Sequence, residues 1–260
     1  MADFALRALE TTNAALLARH ALGETREITL KGWGGEPVQV WLVFPPGFDP
    51  KRKWPLMHSI HGGPHAAHGD VWHFRWNAQV FAGRGYVVAM VNYHGSSGFG
   101  QAFLETIVAR YGEKEFADIE AATDHLLRAG YVDRTRLVGT GGSYGGFMAA
   151  YMNGHTDRYA SYVCHAGCYD WVSMMATDGY MWFHRELGAW QSAMWSRQKT
   201  TRHSASILVY AVCASTAPYA KWHHNAPSSP CLLYTSDAAD ELLCVDLGGR
   251  RIPKKNNNTN

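Results

Sequence analysis

The 260 residues are 47% hydrophobic and 18% charged, which suits one soluble globular domain with a substantial core. A formal net charge of +2 is too small to argue for nucleic acid or an anionic membrane surface as a partner. No apolar run approaches the roughly 20 residues needed to cross a bilayer. The first stretch, "MADFALRALETTNAALLARHALGE", is amphipathic and carries acidic residues, unlike a signal peptide, which favours a cytoplasmic location. The five cysteines are an odd number without metal-ligand spacing. Cys164 and Cys168 sit four apart with no second pair to close a zinc site, so they read as ordinary buried thiols. No metal and no cofactor is expected.

In chain order, residues 1–28 form a lead-in, helical or extended. "REITLKGWGGEPVQVWLVFPPGFDP" predicts a hairpin, with Val38, Val40 and Leu42 alternating along its second strand and Gly-Gly before it. "PLMHSI" is a short buried strand that ends in the loop "HGGPHAAHGD". "YVVAMVNY" is a continuous apolar run, as expected of a strand covered on both faces. "KEFADIEAATDHLLRAGYVD" predicts a helix with Phe116, Ile119, Thr123 and Leu126 on one stripe and Gly130 just past its end. "RLVGT" reads as a strand, "YGGFMAAYMNG" as a helix and "YASYVCHAG" as a further strand. Strand and helix alternate with crossovers long enough for parallel pairing, which argues for an α/β class with a mostly parallel sheet and helices on both faces.

The C-terminal third changes character. Residues 191–230 offer one plausible strand, Ile207–Val212, and a frameshift or chimeric join is expected there. Back-translation of Cys231–Ser236 gives a string that resembles a transposon-type sequencing-library adapter. "CVDLGGRRI" resembles the flow-cell end of such an adapter. Residues 231–260 are therefore read as translated adapter, disordered and outside the fold.

The stretch "LVGTGGSYGGFMAAY" carries the chemistry. Gly-x-Ser-x-Gly between a strand and a helix is the nucleophile-elbow pattern, which presents Ser143 on a tight turn that only small neighbours permit. The following helix points its positive end at the site, where negative charge develops on a carbonyl oxygen under attack. The backbone N–H of Tyr144 is then one oxyanion donor. A dinucleotide loop fails, because a third glycine counted from Gly139 and Gly141 falls on Tyr144. A phosphate-binding loop fails for want of a lysine after the glycines.

A second loop, "HSIHGGPHAAHGD", follows an earlier strand, where such hydrolases place their other oxyanion donor. Gly62 and Gly63 let backbone approach a substrate carbonyl, Pro64 fixes the turn, and His61 orients the loop by a hydrogen bond. The loop histidines His58, His61, His65 and His68 lack the carboxylate and repeated spacing of a metal site. Phe99, Trp171, Trp182 and Phe183 are expected in the core before a substrate pocket.

Taken in order, "IHGGPH", "VNYHGSSGFGQAF", "YGEKEFADIEAATDHL" and "GGSYGGFMA" resemble the catalytic domain of the prolyl oligopeptidase family of serine peptidases. The likeness is to its acylaminoacyl-peptidase and dipeptidyl-peptidase-like members, over residues 29–190. The resemblance implies an α/β-hydrolase fold, incomplete at its C-terminal strands. It also implies a Ser143 nucleophile and an oxyanion hole from the N–H groups of Tyr144 and Gly62. The β-propeller usual in the family has no counterpart in this sequence. The family's acid motif, of the form "HG-x-x-D-x-R-V-P", and its later histidine are also not found. Asp170 is a weak substitute for the acid, turn formation being its ordinary role. His223 and His224 are the histidines left to serve as base, and Asp237, Asp240 and Asp246 fall in the adapter-like stretch. The expectation is a peptidase of short peptides whose present chain is inactive for want of Asp and His. A carboxylesterase on the same fold and a non-catalytic binding module are the alternatives. Oligomeric state and substrate preference are open at this level.

Overall fold

The computed structural model describes residues 11–168, 171, 174, 180–187, 231–233 and 243–245. Six strands, β1 (Thr25–Lys31), β2 (Pro37–Val43), β3 (Trp54–Ile60), β4 (Val87–Asn92), β5 (Val132–Gly142) and β6 (Ser161–His165), form one sheet in the order β1-β2-β4-β3-β5-β6. The pairs β1/β2 and β2/β4 are antiparallel, and β4, β3, β5 and β6 run parallel. The helices are α1 (Ala14–Leu17), α2 (Ala78–Ala82), α3 (Gln101–Glu105), α4 (Glu113–Arg128), α5 (Tyr144–His155) and α6 (Tyr180–Leu187).

The hairpin is where the alternation puts it. Val38, Val40 and Leu42 are buried on one face of β2. Its turn uses Gly34 and Gly35 at φ of 64° and 81°, angles that a β-carbon resists. All of β4 is buried, as its unbroken apolar run requires of a strand between two others. The stripe on α4 packs inward through Ile119, Thr123 and Leu126, and Gly130, at φ 86°, stands just beyond the helix end. Helix α5 is buried from Tyr144 to Met152, so it lacks the polar face of a surface helix.

Strand β5 begins four residues earlier than "RLVGT", because Val132 pairs with Trp54; the register then shifts across the charged stretch 133–136 before Leu137 pairs with Leu56. The short helices α2 and α3 have too few residues for a periodic signal. Within the adapter-like stretch, Cys231–Leu233 (β7) and Leu243–Val245 (β8) are strands that pair antiparallel in a separate ribbon, where disorder was expected. Both are short apolar runs able to satisfy each other's backbone. The expected strand Ile207–Val212 and the residues Asp170, His223, His224, Asp237, Asp240 and Asp246 lie outside the described residues.

Register is what assembles a site. Ile60 pairs with Gly141, and Gly142 pairs with His165, so the loops leaving β3, β5 and β6 emerge side by side at the C-terminal ends of parallel strands. Open α/β sheets place ligands at that edge.

Candidate active site

Ser143 stands between β5 and α5 at φ 58°, ψ −120°, exposed to solvent. Holding a non-glycine residue there costs on the order of 1–3 kcal/mol, so the surroundings must impose it. They do so through two bonds: Ser143 N–H donates to the His165 carbonyl at 2.9 Å, and Phe147 N–H donates to the Ser143 carbonyl at 3.0 Å. The flanking glycines are steric requirements. A β-carbon at Gly145 would lie 2.2 Å from the Ile60 oxygen, and one at Gly141 would lie 2.5 Å from the Gly145 carbonyl. The spacing Gly-x-Ser-x-Gly thus follows from how closely β3 and α5 crowd the turn.

The loop after β3 lies against it. A β-carbon placed on Gly62 would be 3.3 Å from Ser143 Cβ and 3.8 Å from its Oγ. Gly63 adopts φ 120° and joins Pro64 through a cis peptide bond. His61 is buried and stacks on Tyr93 with ring centroids 4.1 Å apart. Its Nδ1–H donates to the Gly62 carbonyl at 2.8 Å, and its Nε2 meets Ser96 Oγ at 2.9 Å. The Tyr93 hydroxyl donates to the His61 carbonyl at 2.9 Å. Burial, with His68 nearby, pushes His61 down to about 3, so the ring is neutral and offers one donor and one acceptor. That arrangement fixes the peptide leading into Gly62.

The other histidines are each engaged separately, and His58, expected in the loop, lies in β3, paired with Ala89 and Gly139. His68 Nε2 meets the Ser59 carbonyl at 2.9 Å, and burial lowers it to about 4. His58 Nε2 meets Thr123 Oγ1 at 2.8 Å, and burial, with Arg158 adding to it, lowers His58 to about 3. His65 lies between the Gly95 carbonyl (2.7 Å) and the Glu186 carboxylate (3.0 Å). Glu186 also accepts from the Tyr111 hydroxyl at 3.3 Å, while its backbone carbonyl accepts from Ala109 N–H at 2.7 Å. Among the described residues no group of three or more His, Cys, Asp or Glu could hold a metal ion.

Sequence reasoning missed three parts of this neighbourhood. A cleft of about 600 Å³ opens beside Ser143, walled by Val71, Trp72, Trp76, Met90 and His165. Trp76 packs so closely on the turn that a β-carbon on Gly142 would be 2.8 Å from its ring. Of the four aromatics expected in the core, Trp171 and Phe183 are buried there, and Phe99 and Trp182 are exposed. The signal for the cleft was "DVWHFRW", whose aromatics have neither strand nor helix period. The second part is Glu186, an acid on a helix with no motif around it. The third is Glu115, fully buried behind Tyr144.

The model of the prolyl oligopeptidase family, Peptidase_S9, matches residues 72–238, from the cleft wall through the elbow and beyond the point where the sequence motifs stop. This chain belongs to that family. Its fold is the α/β-hydrolase fold of its solved neighbours. It is similar to dipeptidyl-peptidase 5 of Porphyromonas gingivalis, 36% identical over 180 residues, or 69% of this chain and 26% of that protein. A Bacillus subtilis relative, the uncharacterized peptidase YuxL, is 33% identical over 184 residues, covering 70% of this chain and 27% of that one. Among solved structures, the uncomplexed acylaminoacyl peptidase of Pyrococcus horikoshii superposes with a TM-score of 0.68 at 26% identity. That match covers 77% of this chain and 32% of the archaeal one. A puromycin-hydrolyzing peptidase of Mycobacterium tuberculosis superposes at 0.61 and 26% identity, covering 71% and 29%. The chain spans about a quarter of the length of the curated relatives it matches.

Proposed function

We propose that this chain carries the nucleophile and oxyanion half of a peptidase that cleaves short peptides through an acyl-enzyme on Ser143. The observation that carries the reading is the exposed Ser143 at φ 58°, ψ −120°, with Gly62 packed against it. In the reaction Ser143 Oγ attacks the scissile carbonyl and its proton passes to a general base. The backbone N–H groups of Tyr144 and Gly62 receive the oxyanion, and the amine then leaves with a proton. Water hydrolyses the resulting ester. The helix α5 N-terminus adds a favourable field at the oxygen.

His61, His65 and His68 are committed to other partners, and the family's Asp and His motifs do not occur in the sequence. Without a base the serine must lose its proton unaided, which lowers the rate by about 10⁴–10⁶. Activity of this chain on its own is accordingly taken to be residual. The similarity to dipeptidyl-peptidases and an acylaminoacyl peptidase supports small peptide substrates.

The test is prolonged exposure to a concentrated fluorophosphonate probe, with peptide mapping and S143A as control. Slow modification confined to Ser143 is expected. A folded protein that stays unmodified, or is modified equally in S143A, sinks the nucleophile reading. Extending the chain with a family Asp and His should then restore aminoacyl-anilide cleavage. Turnover of p-nitrophenyl esters alone would favour an esterase.

A further inference from the structure

The proposed mechanism leaves unused a carboxyl group lodged directly beneath the elbow. Glu115 sits in the first turn of α4 with no solvent exposure. It accepts a hydrogen bond from the Tyr144 hydroxyl. It also accepts from Gly112 N–H, at 3.2 Å and 3.1 Å to its two oxygens. Among the described residues no lysine or arginine pairs with it. The remaining surroundings are aromatic: the Tyr144 ring lies 5.1 Å from Tyr111, 5.2 Å from Phe147 and 6.3 Å from Tyr93.

An unpaired acid in such a cage is costly to keep as a carboxylate, and a leucine or methionine would fill the volume without that cost. What only an acid or amide supplies here is an acceptor for the Tyr144 hydroxyl. Tyr144 is the residue after Ser143, and its own N–H faces the place where the oxyanion forms. Its hydroxyl is the far end of a rigid side chain, so fixing that end fixes the orientation of the peptide at the near end. The second donor is braced in the same manner, since the Tyr93 hydroxyl holds the His61 carbonyl next to Gly62.

We propose that Glu115 is a positioning residue for the catalytic elbow, acting through the Tyr144 hydroxyl to hold the Tyr144 N–H in place for the oxyanion. This rests on the Ser143 reading above. Burial pushes Glu115 up to about 7, against the pull of its bonds from Tyr144 and Gly112, with the Asp118 charge adding to the rise. The groups facing it are Tyr93 just past β4, Tyr111 ahead of α4, Tyr144 and Tyr151 from α5, and Asp118 on its own helix. Burial pushes Tyr93, Tyr144 and Tyr151 up, so these hydroxyls stay uncharged near neutral pH while Glu115 changes charge.

The experiment is amide NMR on the full chain, following the Tyr144 and Gly145 N–H signals and their hydrogen exchange. In the unaltered protein these signals should titrate with a midpoint near pH 7. Glu115→Gln should abolish that titration and keep exchange slow, because the amide still accepts from Tyr144. Glu115→Met, which fills the space without an acceptor, should speed Tyr144 exchange at least tenfold, and Tyr144→Phe should do the same from the other partner. Slow exchange in Glu115→Met or in Tyr144→Phe, or an unchanged titration in Glu115→Gln, overturns the proposal. Fluorophosphonate modification is read separately. If Ser143 never reacts in any variant, the nucleophile reading fails, while the amide signals still decide whether Glu115 governs Tyr144.

Discussion

The Ser143 N–H donates to the carbonyl of His165, 2.9 Å away, and so ties the turn after β5 to the end of β6. The bond exists because β5 and β6 pair in parallel with Gly142 opposite His165. A turn that would otherwise relax is thereby held with its hydroxyl in the open. Stability is given up locally at Ser143 and recovered in the ladder around it.

That strain makes a prediction about replacing the serine. Ser143→Gly removes the β-carbon from an unfavourable region that glycine enters freely. It should raise stability by about 1–2 kcal/mol in urea unfolding while eliminating probe modification. Ser143→Ala keeps the β-carbon and should leave stability nearly unchanged. A Ser143→Gly variant less stable than Ser143→Ala would show that the turn carries no strain.

The glycines beside it should respond unequally. Gly145→Ala drives a β-carbon to 2.2 Å from the Ile60 oxygen, a backbone atom that cannot step aside. A loss of about 3 kcal/mol is expected, at the upper end of overpacking costs. Gly62→Ala meets the Gly142 oxygen at 3.1 Å and Ser143 Cβ at 3.3 Å, contacts that small shifts relieve. It should cost about 1 kcal/mol of stability yet slow modification of Ser143 at least tenfold. Urea midpoints and probe kinetics together separate the two effects.

Acid stability follows from histidines buried in neutral form. His58 and His61 are held down at about 3 and His68 at about 4, all by burial first. A lowered histidine stabilises the fold above its unfolded value near 6.5, and that stability drains as pH falls toward the folded value. Glu115 acts oppositely: raised to about 7, it favours the fold below about 4.5 and loses that advantage as pH rises to 7. Near pH 5.5 unfolding therefore takes up three protons at the histidines and releases one at Glu115. The slope from these four groups is about 3 kcal/mol per pH unit, with stability falling toward acid. Glu115→Gln should steepen the slope and should stabilise the protein at pH 8 by up to about 3 kcal/mol, with little effect at pH 4. Melting curves across pH 4–8 in both proteins test the sign.

Most of this fold was legible from local pattern. The hairpin announces itself because Val38, Val40 and Leu42 alternate after a Gly-Gly turn, and α4 because its stripe has helical period. The elbow was legible for a different reason: Gly141 and Gly145 are steric necessities, and steric necessity leaves a fixed spacing in the sequence. The cleft wall at Trp72 and Trp76 was not legible, since an irregular loop has no period to read. Glu115 was hidden in plain view. In the α4 pattern it occupies a position that reads as a solvent-facing acid in a first helical turn, and only the path of α5 across it makes it buried. Residues whose role depends on two elements meeting, such as Glu186 with His65, have no one-dimensional signature at all.

The pair His94 and Asp118 yields the last prediction. Asp118 is fully buried and accepts three bonds: from Trp33 N–H and His94 N–H, each at 2.7 Å, and from His94 Nδ1–H at 2.6 Å. Gly32 must stay a glycine beside it, because a β-carbon there would lie 2.3 Å from the carboxylate. Burial works against a charge on His94, but the bond and charge of Asp118, with Glu36 behind them, carry it above the ordinary histidine value. A raised histidine contributes its stability in full below the unfolded value, and loses it as pH rises through the folded one. Asp118→Asn removes the charge and turns an N–H toward donors, leaving His94 without its partner. The cost should be about 3 kcal/mol or more at pH 6, as for other buried pairs broken from one side, and smaller at pH 9. Because Asp118 anchors the turn of the β1–β2 hairpin to the loop after β4, exchange at Trp33 and His94 should rise together. An equal cost at both pH values would show that His94 is neutral throughout, and that the carboxylate serves only as an acceptor for three N–H groups.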